Sequence, residues 1–269
     1  MTVGGSSTFT HAQSTPASDD YHLFNPVPDE LLRPLSADRP DVTESPYTVD
    51  AGRVQIESSI VSFTSDSEGA DVDEWVVGST NLKLGLTSDM DIQFVFDPYI
   101  NRDEEGAATV DGFGDMQIRL KINLYGNDGG ETALAILPFI TLPTAADDLG
   151  HGHVEGGIAV PWAKELGDGW SLGLMGELDA LYRPTDDDYT VEFLHTAALG
   201  RELTESLGAY AEYIGVAEFE SDSDYRALFG VGLTYAVNRD TQLDLGANFG
   251  LTDEDTDDLT VFTGFTVRF

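Results

Sequence analysis

The chain has 269 residues and no cysteine, which excludes disulfide bonds and thiolate metal sites. Its 49 Asp and Glu residues against 13 Lys and Arg give a formal net charge of −36, which would repel phosphate groups and argues against a nucleic-acid partner. No run of about 18 apolar residues is present, so a transmembrane helix is not predicted and a closed barrel is the remaining way to span a membrane.

The first part of the chain is not predicted to form a core. Residues 1–20 are rich in Ser, Thr and Ala without a hydrophobic period, which predicts a disordered leader. No secretory signal is visible there, and we expect that a natural leader has been removed. Residues 21–47 are predicted to be an irregular segment, either periplasmic or inserted into a lumen, in which Pro28 and Asp29 open one short helical turn that Pro34 stops.

From Thr48 the sequence changes to an alternation of apolar and polar residues, interrupted by turn residues, and residues 48–269 are predicted to form a barrel. About twelve strands are predicted, at residues 52–64, 74–87, 91–101, 114–126, 132–142, 154–165, 170–183, 189–202, 207–219, 225–237, 242–251 and 259–269. Tight turns follow the even-numbered strands, whereas longer acidic connections such as 102–113 and 143–153 follow most odd-numbered ones. This asymmetry is typical of outer-membrane barrels, whose chain ends lie on the periplasmic side.

The fourth predicted strand shows the two faces most clearly. Side chains alternate across a strand, so one face carries only aliphatic residues, namely Met116, Ile118, Leu120, Ile122 and Leu124. The other face carries only polar residues, namely Asp115, Gln117, Arg119, Lys121 and Asn123. The pattern predicts an all-β fold, a transmembrane antiparallel up-and-down barrel with an aliphatic face toward lipid and a polar interior. The alternative is a soluble all-β binding protein whose aliphatic face is covered by a second sheet.

The same alternation places many charged side chains on the inner face. We predict that the following residues line a pore: Arg53, Glu57, Lys83, Asp91, Asp97, Asp115, Arg119, Lys121, Glu177, Asp179, Arg183, Glu192, Glu212, Arg226, Asp244 and Arg268. Ionised groups inside a narrow barrel need partners or water, so cross-strand ion pairs are expected among them. If the lumen is open, its excess of acids favours cations or neutral solutes.

A short charged motif stands ahead of the barrel. Asp38, Arg39 and Asp41 surround Pro40, and this arrangement is suited to anchoring the irregular segment against charged wall residues; a solvated turn is the alternative. Arg268 is expected to lie near this segment, with Asp38, Asp41 and Glu57 as its counter-charges.

The last strand ends on Phe269, with Val267 and Phe265 on the same face. This ending resembles the segment by which the barrel-assembly machinery recognises bacterial outer-membrane proteins. We therefore expect that machinery and the lipid of the outer membrane as partners, and the sequence leaves the oligomeric state open.

Histidines offer two candidates for chemistry. His151 and His153 could bind a divalent metal, but two histidines at this spacing are a weak signal and an ordinary solvent loop is the favoured explanation, so no metal or other cofactor is predicted. His195 falls on the lipid-facing side of the eighth strand. It would serve a barrel enzyme acting on lipids only with a serine and an orienting partner beside it, and no such set is evident. We therefore predict that the chain is not an enzyme.

The stretch from 36 to 57 carries a family resemblance in the pieces Asp-Arg-Pro-Asp, Ser-Pro-Tyr and Gly-Arg-Val-Gln-Ile-Glu. It resembles the bacterial outer-membrane proteins labelled "putative MetA-pathway of phenol degradation" or "transporter". The resemblance implies a membrane barrel of Gram-negative bacteria and a role in transport. Together with the inner charges, it predicts an outer-membrane channel for the passive passage of small solutes, aromatic, cationic or neutral.

Overall fold

A computed structural model describes residues 21–67, 71–185, 187–219, 225–252 and 256–269. The predicted leader, residues 1–20, lies outside the described residues. The described part of the chain contains a single short 3-10 helix at Asp29–Leu31, which confirms the predicted helical turn after Pro28. No helix in the described ranges has the length and apolar character needed to cross a membrane.

The rest of the regular structure is antiparallel β-sheet. Its strands are β1 (Val54–Asp66), β2 (Val72–Val77), β3 (Thr80–Thr87), β4 (Met90–Phe96), β5 (Tyr99–Glu104), β6 (Val110–Gly112), β7 (Met116–Tyr125), β8 (Thr132–Leu142), β9 (Glu155–Gly167), β10 (Trp170–Arg183), β11 (Asp188–Glu202), β12 (Leu207–Glu218), β13 (Arg226–Asn238), β14 (Thr241–Gly250) and β15 (Leu259–Arg268).

The sheet closes into a barrel because β15 pairs with β1. On its other edge, β1 pairs with β3 along one half and with β2 along the other. The pairs β2 with β3, β4 with β5 and β6 with β7 therefore each act as one strand that is broken in the middle. Counted in this way the wall has twelve strands, and the predicted transmembrane up-and-down barrel is confirmed.

The three breaks were not predicted. Gly78 has a φ of 77° between β2 and β3, which is a left-handed conformation that glycine adopts readily. Pro98 separates β4 from β5 and cannot donate a hydrogen bond to the ladder. The expected long connection at residues 102–113 is also wrong, because β5 continues into it and β6 lies within it.

The barrel is apolar outside and polar inside. Large outward side chains stay exposed on every part of the wall, among them Ile60, Leu124, Ile158, Leu174, Val191, Leu233 and Leu245. Several of the most deeply buried side chains are polar or charged, among them Gln55, Glu57, Lys83, Gln93 and Lys121. All the described strands belong to one closed sheet, so the alternative of a soluble protein with a second covering sheet is wrong.

The two ends of the barrel differ. Tight connections at residues 88–89, 168–169 and 239–240 mark one end, called here the short-turn end, and longer connections such as 143–154 mark the other. The last residue, Phe269, donates its backbone N–H to the Val54 carbonyl at 2.8 Å, so the carboxy-terminus and the start of β1 meet at the short-turn end. In outer-membrane barrels this end faces the periplasm.

Candidate functional site inside the barrel

The barrel interior is occupied by residues 33–50, called here the inner segment. Its side chains and backbone make hydrogen bonds to β12, β14 and β15, and beyond the β15–β1 pair to β1, β3 and β7. Because these contacts reach opposite sides of a closed barrel, the inner segment crosses its interior.

A network of ion pairs joins the two limits of the inner segment, its end residues Arg33 and Asp50, to the last strand. Arg33 Nε lies 2.7 Å from Asp50 Oδ1, and Arg268 Nη1 lies 3.2 Å from Asp50 Oδ2. Arg268 also pairs with Asp240 at 2.6 Å and donates to the Arg33 carbonyl at 2.8 Å. The expected meeting of Arg268 with the segment is therefore present, but the expected counter-charges are wrong, because other cations hold Asp38 and Glu57.

Asp38 is the centre of a fully buried charge cluster. Lys121 Nζ lies 2.7 Å from Asp38 Oδ1, and Lys83 bridges Asp38 and Glu57. Burial alone would raise the pKa of Asp38, but Lys121 and Lys83 outweigh it and hold that pKa well below its usual range. The cluster therefore ties the segment to β1, β3 and β7 through charges that have lost their contact with water.

The end of the inner segment lies directly against the wall. Val49 N donates to Asp91 Oδ2 at 2.9 Å, and Gln93 Nε2 donates to Asp91 Oδ1 at 2.9 Å. A Cβ atom placed on Gly85 would clash with the backbone carbonyls of Asp50 and Val49. Glycine at this inward position of β3 therefore permits a close approach of two backbones.

Arg39 joins the segment to the two strands that flank β15. Its Nη2 lies 2.8 Å from Asp244 Oδ1 on β14, and its Nη1 donates to Ser59 Oγ on β1 at 2.6 Å. Of the three predicted anchor residues, Asp38 and Arg39 thus contact wall side chains on different strands. Asp41 forms no ion pair among the described residues.

Glu212 of β12 binds the middle of the segment. Its two carboxylate oxygens accept the backbone N–H groups of Val42 at 2.9 Å and Thr43 at 2.7 Å. Thr43 Oγ1 donates to the same carboxylate at 2.6 Å and lies 2.6 Å from Thr196 Oγ1 of β11. A buried carboxylate that accepts several hydrogen bonds forms a strong but reversible contact, and no covalent or ionic link is involved here.

Glu44 is the next acid along the segment. It pairs with Arg119, and its Oε2 lies 3.6 Å from Lys121 Nζ. Burial, together with the nearby Asp38 carboxylate, raises the pKa of Glu44 to about 7 despite these two cations. The charge of the inner segment therefore changes near neutral pH.

A cavity of about 330 Å³ remains between the inner segment and the strands β9 to β14, and it is called here the segment cavity. Asp41, Thr43, Glu44 and Tyr47 line it from the segment, while the wall contributes mainly small side chains, among them Ala163, Ser171, Gly173, Ala198, Gly200 and Ala209. Gly169 and Glu202 also line it, which places it at the short-turn end. Thr196, which contacts Thr43, precedes Ala198 on β11 and lies deeper in the barrel.

Other predicted pore residues lie toward the long-loop end. Glu177 and Asp179 are half-buried on the inner face of β10. Arg226 of β13 forms an ion pair with Glu192 of β11. Arg183 is half-buried at the end of β10.

The remaining three of these residues lie outside the regular ladder. Arg53 precedes β1 and donates to the Val27 carbonyl at 3.0 Å. Asp97 lies at the break between β4 and β5. Asp115 accepts the backbone N–H groups of Thr144 and Ala145, both at 2.8 Å, so it holds the connection between β8 and β9.

The histidines are placed apart from the inner segment. His151 Nδ1 lies 2.7 Å from Glu155, and the His153 ring stacks on Tyr182 with 3.5 Å between ring centroids. Within the described ranges no group of three or more His, Cys, Asp or Glu residues is arranged to hold a metal ion. On the outer wall, His195 Nε2 lies 3.0 Å from Tyr225 Oη, and its Nδ1 has no hydrogen-bond partner among the described residues.

Sequence reasoning missed several residues that hold the segment. Gln55 and Gln93 were passed over because only ionised inner residues were selected, although the alternation puts both on the inner face. Arg33, Asp50 and Asp240 carry no periodic signal, since they lie outside the strands. Their pairing with Arg268 depends on how the chain is folded and has no local signature.

The chain is similar in fold to several solved outer-membrane barrels. An outer membrane channel from Pseudomonas putida F1 superposes with a TM-score of 0.68 and 14% identity, covering 87% of this chain and 100% of that chain. The NanC porin gives a TM-score of 0.52 and 8% identity over 80% of this chain and 98% of that chain. The β-domain of the Bordetella autotransporter Brka gives a TM-score of 0.52 and 16% identity over 81% and 99%. No curated protein matches the chain.

These likenesses establish the fold, an outer-membrane barrel, and leave the activity to be argued from the interior. A family assignment comes from the sequence itself, since one family matches residues 37–269, which include most of the inner segment and the whole barrel. The chain belongs to the family described as "Putative MetA-pathway of phenol degradation".

Proposed function

We propose that this protein is an outer-membrane channel for the passive passage of small solutes, and that the inner segment is its gate. The observation that carries the proposal is the contact of Thr43 with Glu212 and Thr196, next to the segment cavity. In the described part of the chain, hydrogen bonds alone hold residues 40–43, whereas ion pairs hold Arg39 and Glu44 on either side of them. Buried ion pairs also hold the two limits of the segment, Arg33 and Asp50. The middle can therefore leave the wall while both limits stay attached.

The solutes that fit this interior are small cations or neutral molecules. Among the described residues, the lining of the segment cavity includes the carboxylates of Asp41, Glu44, Glu165 and Glu202 and two cations, Arg39 and Arg201. Arg39 is already paired with Asp244, and Arg201 stacks on Trp170 with 4.9 Å between the guanidinium carbon and the ring centre. An anion entering the cavity would meet net repulsion.

An enzyme acting on lipids has less support. A catalytic histidine needs an acceptor that orients its Nδ1 and a nucleophile at its Nε2. His195 has no partner at Nδ1 among the described residues, and Nε2 contacts a tyrosine hydroxyl. We therefore favour a channel without catalytic activity.

A disulfide lock tests the gate. Thr43 and Thr196 have their hydroxyl oxygens 2.6 Å apart, so cysteines at both positions are close enough to bond, and the chain has no other cysteine. In planar bilayers, the Thr43→Cys/Thr196→Cys protein should conduct poorly when oxidised and should recover on reduction. The matched control, Thr43→Cys alone, should show no effect of the redox state.

The two parts of the proposal fail separately in this experiment. Equal conductance of the oxidised and reduced protein would refute the gate. Absence of conductance in the wild-type, reduced and control proteins, together with no uptake of small sugars or amines into liposomes, would refute the channel.

We also propose that the barrel-assembly machinery recognises the last strand through Phe265, Val267 and Phe269. These side chains point outward, and Phe269 is 64% exposed. Replacing Phe269 with Ala should lower the amount of folded, heat-modifiable protein in the outer membrane. The same replacement at Phe249, an exposed outer residue of β14, serves as the control.

A further inference from the structure

The segment cavity holds a carboxylate, that of Asp41, which has no counter-ion in the part of the chain that the structure describes. Asp41 lines the cavity, and its neighbouring charges are Glu212, Asp38 and Glu44, all acidic. The cations closest along the chain are engaged elsewhere, since Arg39 pairs with Asp244. Burial and the Glu212 carboxylate raise the pKa of Asp41 well above its usual value. A positive group beside Asp41 would relieve this repulsion.

A second polar group in the cavity also lacks a partner. The hydroxyl of Tyr210 is buried and forms no hydrogen bond within the described ranges. Its ring and hydroxyl lie close to glycines of β13 and β14, since a Cβ atom on Gly232 would collide with the ring and one on Gly246 with the hydroxyl oxygen. Tyr210 lines the cavity, and Asp41 is among the charges closest to it. A carboxyl without a cationic partner and a hydroxyl without a hydrogen bond, among the described residues, thus adjoin the same cavity.

The volume and the remaining lining set the size and character of a ligand. A cavity of about 150 Å³ holds a benzene molecule in another protein, and the segment cavity has about 330 Å³. Its wall side is made of small residues such as Ala163, Gly173 and Ala198, which leave space for a flat ring. One ring with a short polar arm therefore fits.

We propose that the segment cavity is a binding site for a small organic cation, in which an ammonium group on a single-ring molecule donates to Asp41 and to the Tyr210 oxygen while the ring lies against the small wall residues. This inference deepens the proposed function, because the cavity adjoins the proposed gate. It assigns as the substrate class small molecules that combine a positive charge with a single flat ring.

Three isosteric probes test this site. Binding of benzylamine, benzyl alcohol and benzoate to the purified full chain in detergent is measured by calorimetry and by ligand-observed NMR. Benzylamine should bind, benzyl alcohol should bind at least about tenfold more weakly, and benzoate should not bind, because a hydrogen bond to a charged group contributes roughly 1.5–3 kcal/mol, or about 10- to 100-fold in Kd.

Variants of the chain assign the contacts. Asp41→Asn should weaken benzylamine by about 10- to 100-fold and Tyr210→Phe by a smaller factor. Asp111→Asn, at an exposed position of β6, should bind like the wild type. Heat-modifiable migration of each variant verifies that the barrel is folded.

Equal binding of the three probes, or unchanged binding by Asp41→Asn, would overturn the site. The failure of the channel proposal has a different signature, because a protein that binds benzylamine but never conducts retains the site without the pore. A protein that conducts but shows no preference for benzylamine is a channel without this site.

Discussion

Arg268, the last residue of β15, lies 3.2 Å from Asp50, the last residue of the inner segment, through Nη1 and Oδ2. Asp50 is 2% exposed and is also bound by Arg33, so two guanidinium groups share one buried carboxylate. The strand that closes the barrel therefore also fixes both limits of the segment inside it. Barrel closure and segment docking are one structural event at the short-turn end.

Replacing Arg268 with Ala tests this link. Removing one partner of a buried ion pair leaves an uncompensated charge and destabilises a protein by roughly 3–5 kcal/mol. We expect a lower free energy of unfolding in guanidinium and faster proteolytic cleavage within residues 33–50. Arg102→Ala, at an exposed arginine of β5 that pairs with Glu74 away from the inner segment, should change neither. Unaltered cleavage of the segment in Arg268→Ala would contradict the link.

Replacing Glu212 with Ala should release the middle of the segment. The Val42 and Thr43 N–H groups and the Thr43 hydroxyl lose their common acceptor, and hydrogen bonds to a charged group contribute about 1.5–3 kcal/mol each. We expect longer and more frequent open states in planar bilayers. Glu192→Ala removes an inner carboxylate of β11 that pairs with Arg226, and it should leave gating unchanged. If both variants gate alike, Glu212 does not hold the gate.

A methyl group on β3 should displace the end of the segment. Gly85→Ala places a Cβ against the Asp50 and Val49 carbonyls, which are backbone atoms with little freedom to move. Gly176→Ala on β10 is the matched control, since its Cβ would lie 3.3 Å from Cε2 of the Phe193 ring, the far end of a side chain that can shift. We expect increased proteolysis near Asp50 and a lower melting temperature for Gly85→Ala only. Similar values for the two variants would show that the close approach at Gly85 is unimportant.

The strands of the barrel wall could be predicted from the sequence better than the contacts between side chains inside the barrel. Alternation placed Ile118 and Leu120 outside and Lys121 inside because a strand has a fixed period of two, which needs no tertiary information. The partners of Lys121 and Arg268 could not be predicted, since many acids are chemically equivalent in sequence and only the closed barrel selects Asp38 for one and Asp50 for the other. The strand breaks had local signals, Gly78 and Pro98, which the alternation on either side concealed.

The stability of segment docking should depend on pH through Glu44. Burial and Asp38 raise the pKa of Glu44 to about 7 from an ordinary value of 4.5, so the folded protein binds this proton more tightly than the unfolded chain. The contribution of Glu44 to stability is then complete below pH 4.5 and is lost as pH rises through about 7. A shift of this size corresponds to at most about 3 kcal/mol.

Glu44→Gln isolates this dependence, because glutamine is neutral throughout the range. Guanidinium unfolding of both proteins between pH 5 and 8, about the range over which Glu44 titrates, gives the difference in their free energies. As the pH rises, the free energy of unfolding of Glu44→Gln should increase relative to that of the wild type. Asp41 and the other titratable groups are present in both proteins, so their contributions largely cancel. A constant difference would mean that Glu44 is ionised across the whole range, held by Arg119 and Lys121 in the same way as Asp38 is held by its lysines.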